Sequence, residues 1–214
     1  MDRFLATFPA VQDGDLMVSV DRGVAWQADM KVTASYDDAY FNKCAGYEGQ
    51  EICRAIHVGR LDLVTRHIGP YEPICDIGIG SGEFIRYRKS AYGIDVNEKA
   101  MRWLKSVGRI ASSLNDFRAF SMWDVLEHLD DPDTYFGNMK PSSFLFLSIP
   151  IFSDLWRIRE SRHYRPGEHL MYFTEDGLVE WLGMRGFSLL ERADFETKAG
   201  RDSIISFAFR RVVA

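Results

Sequence analysis

The residues best suited to hold a ligand form a glycine-rich run in the first half of the chain. Residues 76–83 read Asp-Ile-Gly-Ile-Gly-Ser-Gly-Glu, between a stretch that predicts a strand and one that predicts a helix. Glycines allow a sharp turn and let a ligand lie against exposed backbone N–H groups. Asp95 follows the next predicted strand, where a carboxylate can accept both hydroxyls of a ribose. Alternatively, the glycines form only a tight turn between strand and helix and bind no ligand. The position of Asp95 disfavours this alternative.

The residues around this loop indicate which kind of nucleoside it suits. A dinucleotide loop, G-x-G-x-x-G, would need a glycine at position 83, where the chain has Glu83, whose carboxylate would repel a pyrophosphate. A P-loop is excluded because no Gly-Lys-Ser/Thr follows. Acids on both sides of the loop, Asp76 and Glu83, favour a ligand with an adenosine half, a positive charge and no phosphate. S-adenosylmethionine, with its sulfonium and ammonium groups, has these properties.

The elements that must position the loop alternate between strands and helices. Short apolar runs predict strands at residues 73–77, 91–96, 119–123, 143–149, 187–193 and 203–210. Apolar spacing and capping residues predict helices at residues 50–67, 83–89, 98–107, 133–139 and 175–184. This alternation predicts an α/β fold: a doubly wound, mainly parallel, Rossmann-like sheet with helices on both faces and a C-terminal antiparallel strand pair. Ligands of such sheets bind beyond the carboxyl ends of the strands.

Four segments resemble class I S-adenosylmethionine-dependent methyltransferases, in the ubiquinone-biosynthesis-like form of the type 11/23 group. Residues 74–82 resemble their first motif and residues 93–97 their ribose-binding motif. Residues 121–129 resemble the fourth-strand motif, and residues 169–174 the segment after the fifth strand. The resemblance covers residues 70–210. It implies S-adenosylmethionine as the cofactor and methyl transfer to oxygen, nitrogen or carbon of a small-molecule acceptor.

The resemblance also implies roles for single residues. Asp76 would lie near the ammonium group of the cofactor, Asp95 would hold the ribose, and Val96 would pack on the adenine. The complete implied cofactor set is Asp76, Gly78, Ile79, Gly80, Gly82, Asp95, Val96, Trp123 and Asp124. The chain departs from the family pattern in one respect. The family has a third strand followed by a residue that contacts the adenine, and residues 109–117 are short for both. We therefore expect a truncated third strand.

Histidines are the candidate catalytic residues. Methyl transfer mainly needs alignment of nucleophile, carbon and sulfur, and it needs a base only if the acceptor keeps its proton. Histidine suits that role because its usual pKa lies near neutrality. His128 and His169 follow the predicted fourth and fifth strands, on the ligand side, whereas His57 and His67 are expected at the surface or as helix caps. The alternative for His128 is that it only orders its loop through a backbone hydrogen bond.

The same region allows a hypothesis of metal binding. Asp124, Glu127, His128 and His169 are similar to the E-x-x-E-H motif and later histidine with which some methyltransferases bind a divalent ion. Asp124 is a shorter first acid, and the resemblance also places it beside the cofactor. We therefore expect no metal here. The alternative is Mn²⁺ or Zn²⁺, which suit mixed oxygen and nitrogen ligands better than Mg²⁺ does.

Contacts with the acceptor are expected from two segments that could close over the strand ends. Residues 1–48 would be an irregular N-terminal extension or lid, ahead of a methyltransferase domain at residues 49–214. Residues 151–166 are locally basic and aromatic, which suits an anionic acceptor or, alternatively, an ordinary exposed arginine face. The predicted acceptor contacts are Tyr36, Tyr40, Arg159, Arg162 and Tyr164.

Composition limits the class of partner. The 214 residues include 26 Lys and Arg against 31 Asp and Glu, a net charge of −5, so there is no general basic footprint for nucleic acid. A nucleic-acid methyltransferase is further disfavoured because no N/D-P-P-Y/F/W motif follows the predicted fourth strand. Two more hypotheses are a non-catalytic cofactor-binding module of the same fold and a dinucleotide oxidoreductase, and Glu83 disfavours the second of them.

The cysteines and the N-terminus indicate the compartment. The three cysteines have no CxxC spacing, so neither a disulfide framework nor a zinc site is indicated. The chain does not begin with a basic and apolar leader, and its longest apolar stretch is too short to span a bilayer. These features predict a cytoplasmic protein and leave its oligomeric state open.

Overall fold

The computed structural model describes residues 5–46 and 49–212. Its strands are β1 (Val11–Asp13), β2 (Leu16–Ser19), β3 (Val24–Gln27), β4 (Ile74–Ile77), β5 (Ala91–Ile94), β6 (Ala119–Trp123), β7 (Phe144–Pro150), β8 (Met171–Phe173), β9 (Phe187–Ala193) and β10 (Ile204–Arg211). Its α-helices are α1 (Asp38–Ala45), α2 (Glu51–His67), α3 (Glu83–Tyr87), α4 (Glu98–Ser106), α5 (Asp133–Phe136), α6 (Glu175–Gly183) and α7 (Phe195–Lys198). Within these ranges, no helix is both long and apolar enough to cross a membrane.

A six-stranded sheet forms the centre of the fold, in the order β5-β4-β6-β7-β10-β9. Its first four strands are parallel, and β10 pairs antiparallel with both β7 and β9. Alternate residues of β7 enter two different cores: Phe146 packs with α2, α3 and α4, while Leu145 and Leu147 pack with α6. Both faces of the sheet are therefore covered, which is why its parallel strands are mostly apolar. The predicted Rossmann-like fold and its C-terminal strand pair are confirmed.

The third strand of the fold is reduced to a single bridge. After α4, only Ile110 pairs with the sheet, through a parallel bridge to Gly93. The next residues are polar, and the Ser113 side chain accepts the N–H of Asn115 to start a turn of 3-10 helix over Leu114–Asp116. This local bonding competes with strand pairing. The expected truncation of the third strand is confirmed, and β5 lies at one edge of the sheet.

A second, four-stranded antiparallel sheet has the order β1-β2-β3-β8. Its first three strands belong to the segment for which we expected irregular structure, so that expectation is wrong over residues 11–27. The strands are only three or four residues long, and every residue of β3 is buried, so no polar and apolar alternation marked them. The boundary between an extension at residues 1–48 and a domain at residues 49–214 stays a prediction.

A close backbone contact joins this second sheet to α6. Thr174 caps the helix: its hydroxyl oxygen accepts the N–H of Gly177, and the hydroxyl donates to the carbonyl of Gly23. A Cβ atom on Gly177 would lie 2.0 Å from that Gly23 oxygen. Gly177 is therefore required because the turn before β3 rests directly on the first turn of α6.

We predict that Gly177→Ala destabilises the protein by roughly 1–3 kcal/mol through overpacking. The matched control is Gly183→Ala in the same helix, where a Cβ atom would meet no described atom within 4 Å. There the better helix propensity of alanine should give no loss, or a gain of up to about 1 kcal/mol. Urea denaturation of both variants measures the difference. Equal effects of the two substitutions would contradict the contact between Gly23 and α6.

Candidate cofactor and acceptor site

The glycine loop after β4 adopts backbone conformations that favour glycine. Gly78 and Gly80 have φ angles of 73° and 57°, in the left-handed region. A Cβ atom on Gly78 would lie 2.6 Å from the Val125 side chain, so this glycine packs against protein. A Cβ atom on Gly80 would meet no described atom within 4 Å. The loop therefore leaves room at Gly80, at the carboxyl end of β4, where a ligand is expected.

Asp95, which follows β5, lies against this loop. Its carboxylate accepts the backbone N–H of Asn97 at 2.8 Å. Burial raises the pKa of Asp95, although the backbone N–H groups of Asn97, Gly80, Ile79 and Val96 act to lower it. The next side chain, Val96, is apolar and yet 74% exposed. The structure thus brings the predicted ribose acid, the predicted adenine contact and the loop together at one edge of the sheet.

Asp76, near the end of β4, is a fully buried acid. Ser121 Oγ donates a hydrogen bond of 2.6 Å to Asp76 Oδ1. Burial raises the pKa of Asp76 to about 7, although the Ser121 hydrogen bond and the charge of Arg60 act in the opposite direction. A cation placed beside this carboxyl would therefore stabilise its ionised form.

Asp124, directly after β6, is bound by two arginines. Arg60 donates to Asp124 Oδ2 at 3.1 Å, and Arg201 donates to both carboxylate oxygens at 2.8 and 3.0 Å. Burial alone would raise the pKa of Asp124, but Arg201 and Arg60 hold it at about 2. A cofactor contact through Asp124 would compete with these arginines, and that contact stays a prediction.

The arginines extend this group into a partly buried cluster of four charges. Arg60 Nε donates to Glu196 Oε1 at 2.8 Å, and Arg201 also pairs with Glu196. The Arg60 guanidinium lies 4.9 Å from the ring of Trp123, whose Nε1 is buried and has no hydrogen-bond partner among the described residues. This cluster was not predicted from the sequence. A signal was available in α2, because Arg60 shares the buried face of Ile56, Leu63 and Val64.

His128 and His169 lie next to each other, with ring centroids 4.6 Å apart and planes nearly perpendicular. His128 Nδ1 lies 2.7 Å from the Glu168 carbonyl oxygen, which can only accept, so Nδ1 carries the proton and Nε2 is left as the basic atom. Burial lowers the pKa of both imidazoles, to about 3 for His169. The backbone bond that we gave as the alternative role of His128 is present, and it selects the tautomer in which Nε2 can accept a proton.

Glu127 completes a buried group with these histidines. It is 1% exposed, and its Oε2 atom has no hydrogen-bond partner in the described parts of the chain; the same holds for His169 Nδ1. Burial, followed by the charge of Asp124, raises the pKa of Glu127 well above its usual value. Glu127, His128 and His169 each offer one ligand atom, all within 4.8 Å of one another. Three of the four residues of the metal hypothesis therefore meet, while Asp124 is bound to arginines.

Tyr36 belongs to a segment that crosses this side of the sheet. Residues 33 and 34 donate their N–H groups to the Gly167 carbonyl at 2.8 and 3.1 Å, and Asn97 Nδ2 donates to the Asp37 carbonyl at 2.6 Å. Between these attachments Tyr36 Oη lies 3.0 Å from His128 Nδ1. Burial, then the charges of Glu168, Glu127 and Asp95, raise the pKa of Tyr36 to about 12. The side chain of Tyr40 lies outside the residues that the structure describes.

The predicted acceptor contacts in residues 151–166 are placed differently. Arg159 pairs with Asp13 and Asp15, and the Tyr164 hydroxyl donates to Asp15. These bonds tie the turn between β1 and β2 to the segment that follows β7. Arg162 is exposed. Acceptor binding by Arg159, Arg162 and Tyr164 stays a prediction.

The expectation that His57 lies at the surface is wrong. His57 is only 7% exposed, and its Nε2 lies 3.2 Å from Glu83 Oε2. His57 and Arg60 are three residues apart on α2 and therefore share its inward face. His67, at the end of the helix, is partly exposed, and its Nε2 lies 2.8 Å from Glu191 Oε2.

Comparisons with known proteins agree with this geometry. A family model described as a methyltransferase domain matches residues 40–192. The structure of 1,6-didemethyltoxoflavin-N1-methyltransferase from Burkholderia thailandensis, with bound 1,6-didemethyltoxoflavin and S-adenosylhomocysteine, is 15% identical, with a TM-score of 0.54 over 97% of this chain and 100% of that chain. No curated protein matches the chain significantly.

Two further structures are similar at comparable levels. A SAM-dependent methyltransferase from Thermotoga maritima is 14% identical, with a TM-score of 0.58 over 81% of this chain and 97% of that chain. Magnesium protoporphyrin IX methyltransferase from Synechocystis, with bound S-adenosylhomocysteine, is 17% identical, with a TM-score of 0.51 over 75% of this chain and 83% of that chain. At such low identities, these likenesses show a shared fold.

We predict that Asp76→Asn stabilises the protein at high pH. The folded pKa of Asp76, about 7, lies above the ordinary value of 3.8, so the folded chain keeps a proton that the unfolded chain releases, and stability falls as pH rises from that ordinary value to about 7. Asparagine removes that loss. At about 1.4 kcal/mol per pKa unit, the variant should gain roughly 2–4 kcal/mol at pH 8.5 and almost nothing at pH 4.

Urea denaturation at both pH values measures this effect, with Asp116→Asn as the control because Asp116 is exposed. The control should change little at either pH. A gain for Asp76→Asn that is equal at pH 4 and pH 8.5, or absent at pH 8.5, would contradict the raised pKa.

Proposed function

Because the chain belongs to the methyltransferase-domain family, within the class I S-adenosylmethionine-dependent superfamily, we propose that it transfers a methyl group from S-adenosylmethionine to a small-molecule acceptor. The observation that supports this most directly is the contact between Asp95 and the glycine loop. The Asp95 carboxylate, the open space beside Gly80 and the exposed side chain of Val96 lie together at the edge of the sheet where a nucleoside is expected.

The residues at this edge fit the parts of the cofactor. Asp95 would accept the ribose hydroxyls, Val96 would cover the adenine, and the open side of Gly80 would admit the methionine part. Asp76 would face the ammonium group, because a nearby cation offsets the cost of ionising this buried acid. When bound, the cofactor supplies a methyl group already activated by the sulfonium, so the chain has mainly to align the acceptor.

His128 is the base that we propose for an acceptor that must lose a proton. The Glu168 carbonyl fixes the Nδ1 proton, which leaves Nε2 unprotonated. Burial lowers the pKa of His128, so the imidazole is neutral and able to accept a proton at neutral pH. His169 lies against it and would assist by holding the acceptor or by receiving the proton. Tyr36 would cover the acceptor from the segment that crosses the site.

Charge favours a small, uncharged or cationic acceptor over nucleic acid. The charge of Glu168 acts on the Tyr36 hydroxyl, so a polyanionic backbone would be repelled at this point. Arg159, which we considered for anion binding, is already paired with two carboxylates. The related Burkholderia protein is crystallised with a small molecule, 1,6-didemethyltoxoflavin. A cytoplasmic location stays a prediction.

We predict that Asp95→Ala weakens S-adenosylmethionine binding by about 10- to 150-fold, because a charged acceptor of the ribose hydroxyls contributes about 1.5–3 kcal/mol. Isothermal titration calorimetry measures the change. The control is Glu98→Ala, a nearby acid whose side chain is 91% exposed and should not affect binding. Unchanged affinity in the Asp95 variant, or equal losses in both variants, would argue against the ribose site.

We predict that His128→Ala lowers methyl transfer by about 10²- to 10⁴-fold, the usual contribution of a general base. Its affinity for S-adenosylmethionine should stay within about twofold, because His128 belongs to the acceptor side. The assay uses radiolabelled S-adenosylmethionine with a panel of phenols, catechols and amines, and His67→Ala as the control. If the His128 variant transfers methyl groups as fast as the unmodified protein, His128 is not the base.

A further inference from the structure

We propose that Cys53, His57 and Glu83 form a binding site for a Zn²⁺-type divalent ion between α2 and α3. Cys53 and His57 are four residues apart on α2, so they share one face of the helix. Glu83 opens α3 and faces them. One thiol, one imidazole and one carboxylate thus meet at the junction of two helices, away from the group of Glu127, His128 and His169.

The distances suit a small ion. The Cys53 thiol donates to Glu83 Oε2 at 2.9 Å, His57 Nε2 lies 3.2 Å from the same oxygen, and the three ligand atoms lie within 4.8 Å of one another. Bonds of about 2.0–2.3 Å to a tetrahedral zinc ion would separate its ligand atoms by roughly 3.3–3.7 Å. Side-chain shifts of under about 1 Å would therefore bring all three onto one ion.

The types of ligand select the ion. Sulfur and nitrogen beside one carboxylate oxygen are the donors that zinc and its neighbours prefer, whereas Mg²⁺ and Ca²⁺ require oxygen. Three protein ligands leave a fourth position for water or a small ligand, as in zinc sites that are not fully closed by protein. On binding, the Cys53 thiol would lose its proton to solvent as the sulfur–metal bond forms.

The surroundings hold these side chains in place. The His57 ring stacks on Tyr87, with centroids 5.5 Å apart and an interplanar angle of 17°, and this contact orients Nε2 toward Glu83. His57 and Glu83 are buried, and Cys53 is partly buried. Arg60, the cation one turn along α2, is already neutralised by Glu196 and Asp124. This pairing reduces the repulsion between an ion at the junction and the charge of Arg60. Burial, followed by the charges of Arg60 and Arg201, lowers the pKa of His57.

The same distances would also be found if the thiol and the imidazole only formed hydrogen bonds with Glu83 and bound no metal. Binding of Co²⁺ distinguishes a metal site from such a hydrogen-bonded group. We expect the full-length protein, stripped with a chelator, to bind one Co²⁺ with a near-ultraviolet thiolate-to-cobalt charge-transfer band, and Zn²⁺ to displace it. Cys53→Ser should abolish the band, and Glu83→Gln should weaken Zn²⁺ binding by roughly 100-fold, as calorimetry would show. Circular dichroism checks that each variant is folded.

A matched control separates this site from the second group of potential ligands. The double variant Glu127→Gln/His169→Gln should keep the charge-transfer band, since those residues supply no sulfur. A folded protein without the band, or a band that persists in Cys53→Ser, would overturn the proposal. Methyl transfer is not needed for this measurement, so its outcome is independent of the proposed activity.

Discussion

The proximity of the Asp95 carboxylate to the amides of the glycine loop is the constraint on which our account of the site depends. Burial has the larger effect on Asp95 and raises its pKa, so ionising this partly buried acid costs free energy. The backbone N–H groups of Gly80 and Ile79 act to lower that pKa, at the carboxyl ends of the paired strands β4 and β5. A ligand with two hydroxyl groups would take over as the hydrogen-bond donor to this acid. This is why we propose this edge of the sheet as the ribose site.

Paired charges follow β6, next to the residues that we propose for the acceptor half of the site. Asp124, in a left-handed conformation after β6, is held by Arg60 from α2 and by Arg201 from the segment between α7 and β10. Glu196 balances the second positive charge, so the cluster is neutral overall. Buried ions are tolerated in proteins when they are paired in this way. The cluster holds the chain at Asp124, three residues before Glu127.

The parts that were predictable from the sequence are those with a local signal. The loop with Gly78 and Gly80, the acid Asp95 and the apolar strands of the parallel sheet can each be recognised from neighbouring residues in the sequence. The sheet of β1, β2, β3 and β8 was missed because its strands are only three or four residues long and because β3 pairs with β8, some 145 residues away. The pairing of Arg60 with Glu196 was missed for the same reason: it joins residues 136 positions apart, and neither residue indicates its partner.

A crystal structure of the protein with S-adenosylhomocysteine tests the central claim most directly. Our account predicts both ribose hydroxyls within hydrogen-bonding distance of the Asp95 carboxylate, with the adenine against Val96 and the homocysteine ammonium group facing Asp76. The account would be contradicted if the ligand bound elsewhere, or if the ribose hydroxyls found partners other than Asp95.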